Sequence, residues 1–135
     1  MSDEGVHDDN PLDDIFVDGD QMDRELVASI LEPYMAIDSE DGELYPKEAY
    51  GNLNSKGQIQ IVLTAERAKA LQGLADSASL GPSAISELGG INENTVKPAV
   101  RDLADDGQIA DTDDGYEVRS PHLSQIVEKL DDSEE

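Results

Sequence analysis

Five stretches of the chain repeat apolar residues at helical spacing, and two pairs of short runs close on acidic turns. Leu26, Val27, Ile30 and Leu31 fall at i, i+1, i+4 and i+5, so a helix from Asp23 buries one face; Pro33 ends it. Tyr34 to Ile37 and Glu43 to Tyr45 then flank Asp38-Ser39-Glu40-Asp41-Gly42, the pattern of a β-hairpin. Ser55 and Gln58, three apart, fit a capping box at the head of a long helix from about Lys56 to Leu74. In that helix Ile59, Val62 and Leu63 point inward near the start and Leu71 and Leu74 near the end. Ala65, Ala68 and Ala70 between them let a neighbouring helix come close, and Gly57 weakens the first turn.

The next segment is more punctuated. Pro82 to Leu88 reads as a short helix with Ile85 and Leu88 three apart, stopped by Gly89-Gly90. Ile91 and Asn92 make a turn, and Asn92 to Thr95 opens a second helix whose Val96, Val100 and Leu103 recur at spacings of four and three until Asp105-Asp106-Gly107 closes it. Pro98 is tolerable if Asn94 caps this helix and predicts a kink if Asn92 does. Ile109-Ala110 and Tyr116 to Arg119 are two strands around the tight loop Asp111-Thr112-Asp113-Asp114-Gly115. A last helix follows, with Ser120 as N-cap, Pro121 at the first helical position, and Leu123, Ile126, Val127 and Leu130 at i, i+3, i+4 and i+7. That stripe must be covered, either by its own domain or by the same helix of a second chain in a homodimer. Expected boundaries are an acidic disordered tail over 1–21, a helix and β-hairpin extension over 22–54, a winged domain over 55–120, and a C-terminal helix and acidic end over 121–135.

Composition changes the picture in two ways. The chain has 135 residues, 9 Lys plus Arg against 32 Asp plus Glu, and a net charge of −23. Twelve of those charges lie in the first twenty and last five residues. The remainder still belongs to segments that look folded, where like charge drives the compact state apart unless salt screens it. Five Lys, nineteen Asp, one Phe and no Trp fit a salt-rich, haloarchaeal cytoplasm; an ordinary acidic protein or acidic binding module is the plainer alternative. Second, the absence of Cys removes disulfides, thiol catalysis and zinc-thiolate sites. No apolar run approaches the roughly 20 residues that cross a bilayer, and no signal-peptide order opens the chain, so the expectation is a cytoplasmic protein with no membrane partner. Leu12, Ile15 and Phe16 in the tail form either a short docking motif or part of a loosely attached end.

Helix, short helix, turn, helix and hairpin is the layout of a winged helix-turn-helix in an α+β protein. Asn94-Thr95-Val96-Lys97-Pro98-Ala99-Val100-Arg101-Asp102-Leu103, continuing through Gly107-Gln108-Ile109, resembles the corresponding stretch of PadR-type winged-helix regulators, and more loosely MarR and ArsR types. The proline inside the helix is the most telling shared feature, and the resemblance covers roughly residues 56 to 120. Lys97 stands where those proteins usually carry an aromatic residue, and Gln108 is polar. The resemblance implies a transcriptional regulator binding double-stranded DNA.

With Val96, Val100 and Leu103 inward, Asn94, Thr95, Lys97, Pro98 and Arg101 face outward as DNA-binding candidates. Arg can grip guanine, Asn can pair with adenine, and Lys97 suits a base edge or a phosphate. Arg119, past the wing, suits a backbone or minor-groove contact. A dimer would set two reading helices roughly 34 Å apart. Against this, Asp102, Asp105, Asp106, Asp111, Asp113 and Asp114 crowd the helix end and wing. The competing expectation is therefore a winged-helix module that holds another protein and no DNA.

Other signals carry less. The Asp111 to Gly115 loop glances at a calcium loop, but its glycine comes fifth instead of sixth. His7 and His122 stand alone, with His122 in the first turn of the last helix, and no phosphate loop, nucleophile elbow or zinc-protease motif occurs. Carboxylates are too abundant for any pair to mark an acid and base. The expectation is no enzyme, no cofactor and no metal.

Overall fold

The computed structural model describes residues 19–133, with the side chains of 20 and 130–133 excepted. The tail over 1–18, with Leu12, Ile15, Phe16 and His7, lies outside the described residues, as does the Leu130 side chain. Among the described residues the fold is α+β: six helices and two small antiparallel hairpins. Helix α1 spans Gly19–Leu31, starting four residues before Asp23. Strands β1 (Met35–Ile37) and β2 (Leu44–Pro46) form the first hairpin, with Met35 opposite Pro46 and Ile37 opposite Leu44. A one-turn helix that the periodicity does not disclose, α2 (Glu48–Gly51), follows.

Helix α3 (Ser55–Leu71) is the axis of the molecule. Its cap is Asn54, whose side chain accepts from the Gly57 N–H at 2.8 Å, so the expected Ser55–Gln58 capping box is replaced by the residue before it. Gln58 instead donates to the Tyr50 carbonyl. The helix stops at Leu71, short of Leu74, which is exposed; Arg24 of α1 reaches across to the Leu71 carbonyl and the Gln72 side chain, satisfying acceptors at that end. Every residue from Ile59 to Ala65 is buried. The polar members of that run are satisfied: Thr64 donates to the Gln60 carbonyl at 2.7 Å, and Gln60 meets Gln108.

Helix α4 (Pro82–Gly89), helix α5 (Glu93–Asp105), strands β3 (Ala110–Thr112) and β4 (Gly115–Glu117) and helix α6 (Ser120–Ser133) complete the order. In the second hairpin Ala110 faces Glu117 and Thr112 faces Gly115. Leu80 bridges Tyr116 with both backbone hydrogen bonds, an isolated antiparallel bridge beside β4. That closeness requires glycine at 115: a Cβ there would lie 2.4 Å from the Leu80 carbonyl oxygen, and φ is +143°. Gly89 is similarly fixed, since a Cβ would meet the Tyr50 hydroxyl at 2.8 Å, the group that donates to the Gly89 carbonyl.

One apolar cluster runs through the described chain, from Val27 and Ile30 of α1 through α3, α4 and α5 to Leu123 and Ile126 of α6. Helix α1 packs on both α3 and α6. Leu123 and Ile126 are buried and Val127 is partly buried inside this one chain, so of the two expected covers its own domain is the one that the described part of the stripe finds, and the stripe gives no support to a homodimer through that helix. A polar knot closes the same junction: Asp23, 5% exposed, accepts from Arg67 and from the Ser120 hydroxyl, while Arg67 also donates to the Val118 carbonyl. Ser120 is thus inside α6 and engaged with Asp23, not its cap; the Nδ1 of His122 accepts the Arg119 N–H at 2.9 Å and takes the capping role.

Candidate functional site

Helix α5 owes its orientation to a short, well-tied turn. Gly90 takes a left-handed conformation after α4, the Ile91 N–H reaches the Ser86 carbonyl, and the Ser86 hydroxyl donates to the Ile91 carbonyl. Asn92 then caps α5, its side chain accepting from the Asn94 N–H at 2.8 Å. Asn92, and not Asn94, is therefore the cap, which puts Pro98 six residues in; α5 runs through it as one element although Pro98 has no N–H for the Asn94 carbonyl.

Val96, Ala99, Val100 and Leu103 are buried against α3 and α4. The opposite side is exposed at Asn94, Thr95, Lys97, Pro98 and Arg101, so these five share one open face. Asn94, Lys97 and Arg101 follow one another at helical neighbour spacing, and Thr95, Pro98 and Asp102 form the adjoining row. Arg119 is also exposed but belongs to the link between β4 and α6.

Tertiary packing adds residues that the local pattern of α5 does not contain. Asn54, Ser55 and Lys56, at the head of α3, line an open depression of about 430 Å³ together with Thr95, Pro98, Ala99 and Asp102. Lys56 is thereby a neighbour of the row formed by Thr95, Pro98 and Asp102. Its Nζ lies 3.5 Å from the Asp102 carboxylate. No sequence signal points to this, because α3 and α5 are brought together only by packing.

Electrostatically the site is nearly self-neutralised. Lys97 lies 3.7 Å from Glu93, which also accepts from the Ser83 hydroxyl at 2.8 Å. Arg119 donates through Nε to Glu117 at 2.6 Å, and the other Glu117 oxygen accepts from Ser79 at 2.8 Å. Burial pushes the Glu117 carboxyl up, but the bonds from Arg119 and Ser79 and the charges of Arg119 and Arg67 outweigh it and hold it below its ordinary value. Burial beside Arg119 lowers His122, favouring the neutral ring that accepts the Arg119 N–H. Arg101 has no hydrogen-bond or ion-pair partner among the described residues. At the hairpin tip Asp111, Asp113 and Asp114 are exposed, and Thr112 organises the turn by accepting from the Asp114 N–H and donating to the Gly115 carbonyl.

Compared with protein-family models, curated proteins and solved structures, the chain matches none of them. Among the described residues no helix is long and apolar enough to cross a membrane.

Proposed function

We propose that the chain is a sequence-specific DNA-binding protein of winged helix-turn-helix type, a transcriptional regulator working in concentrated salt. One observation carries the reading: a helix anchored inward by Val96, Val100 and Leu103 holds Lys97 and the unpartnered Arg101 one turn apart on its open side. The order α3, Leu80 bridge, α4, tight turn, α5 and β3–β4 hairpin supports it, as does the resemblance of residues 94–109 to PadR-type regulators. Asn94 and Arg101 read base edges, Thr95 and Pro98 pack beside them, and Lys97 serves a base or phosphate. Arg119 contacts the backbone from the wing side. So few cations make a shallow electrostatic contribution, which suits binding where counterion release contributes little. The net charge of −23 belongs to the same halophilic, archaeal and cytoplasmic setting.

The test is selection of bound sequences from a random duplex library in about 2 M KCl. One enriched sequence family is expected, and Lys97→Ala with Arg101→Ala should weaken binding to it by several kcal/mol, at roughly 1 to 3 kcal/mol per base-reading side chain. Equal affinity of the double variant removes both residues from the interface. A second reading, a winged-helix module docking a protein partner, is favoured by the exposed Asp111, Asp113 and Asp114 at the wing tip, which repel phosphate. Recovery from high-salt lysate of a stoichiometric protein that survives nuclease, with no enriched duplex, supports that reading instead.

A further inference from the structure

We propose that Asp102, Glu93 and Glu117 are internal competitors for DNA phosphate: each holds one cation of the candidate interface, and phosphate binds only by displacing it. The proposal rests on the DNA-binding reading and concerns how that same face is regulated. Lys56, Lys97 and Arg119 are each paired with a carboxylate of the same chain, at 3.5, 3.7 and 2.6 Å respectively. The arrangement is built in two of the three cases, because Ser83 from α4 anchors Glu93 and Ser79, next to the bridging Leu80, anchors Glu117. Asp102 lies on the reading helix itself, in the row of Thr95 and Pro98, and reaches across the depression to Lys56 at the head of α3.

Consider what a phosphate meets there. A lone surface Lys gains a phosphate and the duplex releases about 0.9 of a condensed cation, which favours binding in dilute salt regardless of sequence. A Lys already holding a carboxylate must exchange one anion for another. The displaced carboxylate is left near the duplex and draws cations back from solution, offsetting the release. Nonspecific binding is thereby held down, and the affinity that remains comes from base contacts such as that of Arg101. Salt weakens the internal pairs as well as the phosphate contacts, so the net dependence on salt is flat.

The experiment measures binding of a random-sequence duplex of about 30 base pairs from roughly 0.3 to 2 M KCl. Glu93→Gln/Asp102→Asn/Glu117→Gln should bind it more tightly than the wild type near 0.5 M, by up to about fivefold for each exposed pair removed. The slope of log affinity against log salt should steepen by up to about 2.7 for three phosphate contacts. If the triple variant fails to fold, Asp102→Asn alone should show one third of the slope change. A double-mutant cycle separates competition from simple repulsion: Asp102→Asn should have little effect when Lys56→Gln is already present. Equal gains with and without Lys56 overturn the proposal, as does an unchanged slope in a variant whose selected duplex still depends on Lys97 and Arg101; the latter leaves the DNA reading standing. If neither protein binds any duplex, both the proposal and that reading fall.

Discussion

Helices α3 and α5 pack against each other yet have opposite relations to solvent. In α3 seven consecutive residues, Ile59 to Ala65, are buried, because α1, α4 and α5 enclose it from different sides. In α5 only Val96, Ala99, Val100 and Leu103 are buried. A helix covered all round has its side chains committed to packing, with polar members such as Thr64 and Gln60 satisfied within the protein. A helix covered on one side can spend the other on recognition. The candidate chemistry therefore gathers on α5, while α3 contributes only the half-exposed Lys56 of its first turn.

The comparison can be broken most severely at the centre of α3. Ile61→Ala, at a fully buried position, should cost about 2 to 5 kcal/mol in urea unfolding at high salt, through lost burial and a residual cavity. A loss below about 1 kcal/mol would mean that α3 is not the hub of the core. The opposite sign is expected in α5: Pro98→Ala restores a donor for the Asn94 carbonyl and should raise stability by about 1 to 3 kcal/mol. A destabilised Pro98→Ala protein would show that the proline ring itself is needed in the surrounding packing. The smallest effect sharpens the contrast without altering either helix face. Asn54→Ala and Asn92→Ala each remove one side-chain cap and should each cost about 1 kcal/mol. On the DNA reading only Asn92→Ala should also weaken binding of the selected duplex beyond its effect on stability, since it loosens the helix that carries Lys97 and Arg101. Equal binding by the two cap variants at matched stability would detach recognition from the start of α5.

How far each element was legible follows from how local its cause is. The first hairpin was readable because Asp38 to Gly42 carries its own turn chemistry, with Asp38 accepting from the Glu40 N–H at 2.8 Å. Helix α4 was readable because Pro82 and Gly89-Gly90 punctuate it. The start of α3 was misplaced by one residue because Asn54 and Ser55 are both good caps, and only the backbone path decides which reaches the Gly57 N–H. Ser120 failed as a cap for a different reason: its hydroxyl is drawn to Asp23, 97 positions away. Pro98 could be weighed only once the cap was known.

For the candidate site, the inward set of Val96, Val100 and Leu103 and the outward set of Asn94, Thr95, Lys97, Pro98 and Arg101 follow from a 3.6-residue period, which any single helix carries in its own sequence. The acidity, the absence of thiol chemistry and the amphipathic stripe of α6 are likewise properties of the chain read in order. What covers that stripe, and that Lys56 stands beside Asp102, are pairings between residues tens of positions apart, whereas the pairs Glu93–Lys97 and Glu117–Arg119 are local, four and two positions apart. Spacing along a chain says which face an isolated helix will bury; it says nothing of which other element arrives to bury it. That choice belongs to the packing of α1, α3, α5 and α6 into one core, which sets Asp102 against Lys56; together with the local pairs of Lys97 and Arg119 it leaves Arg101 without a partner among the described residues.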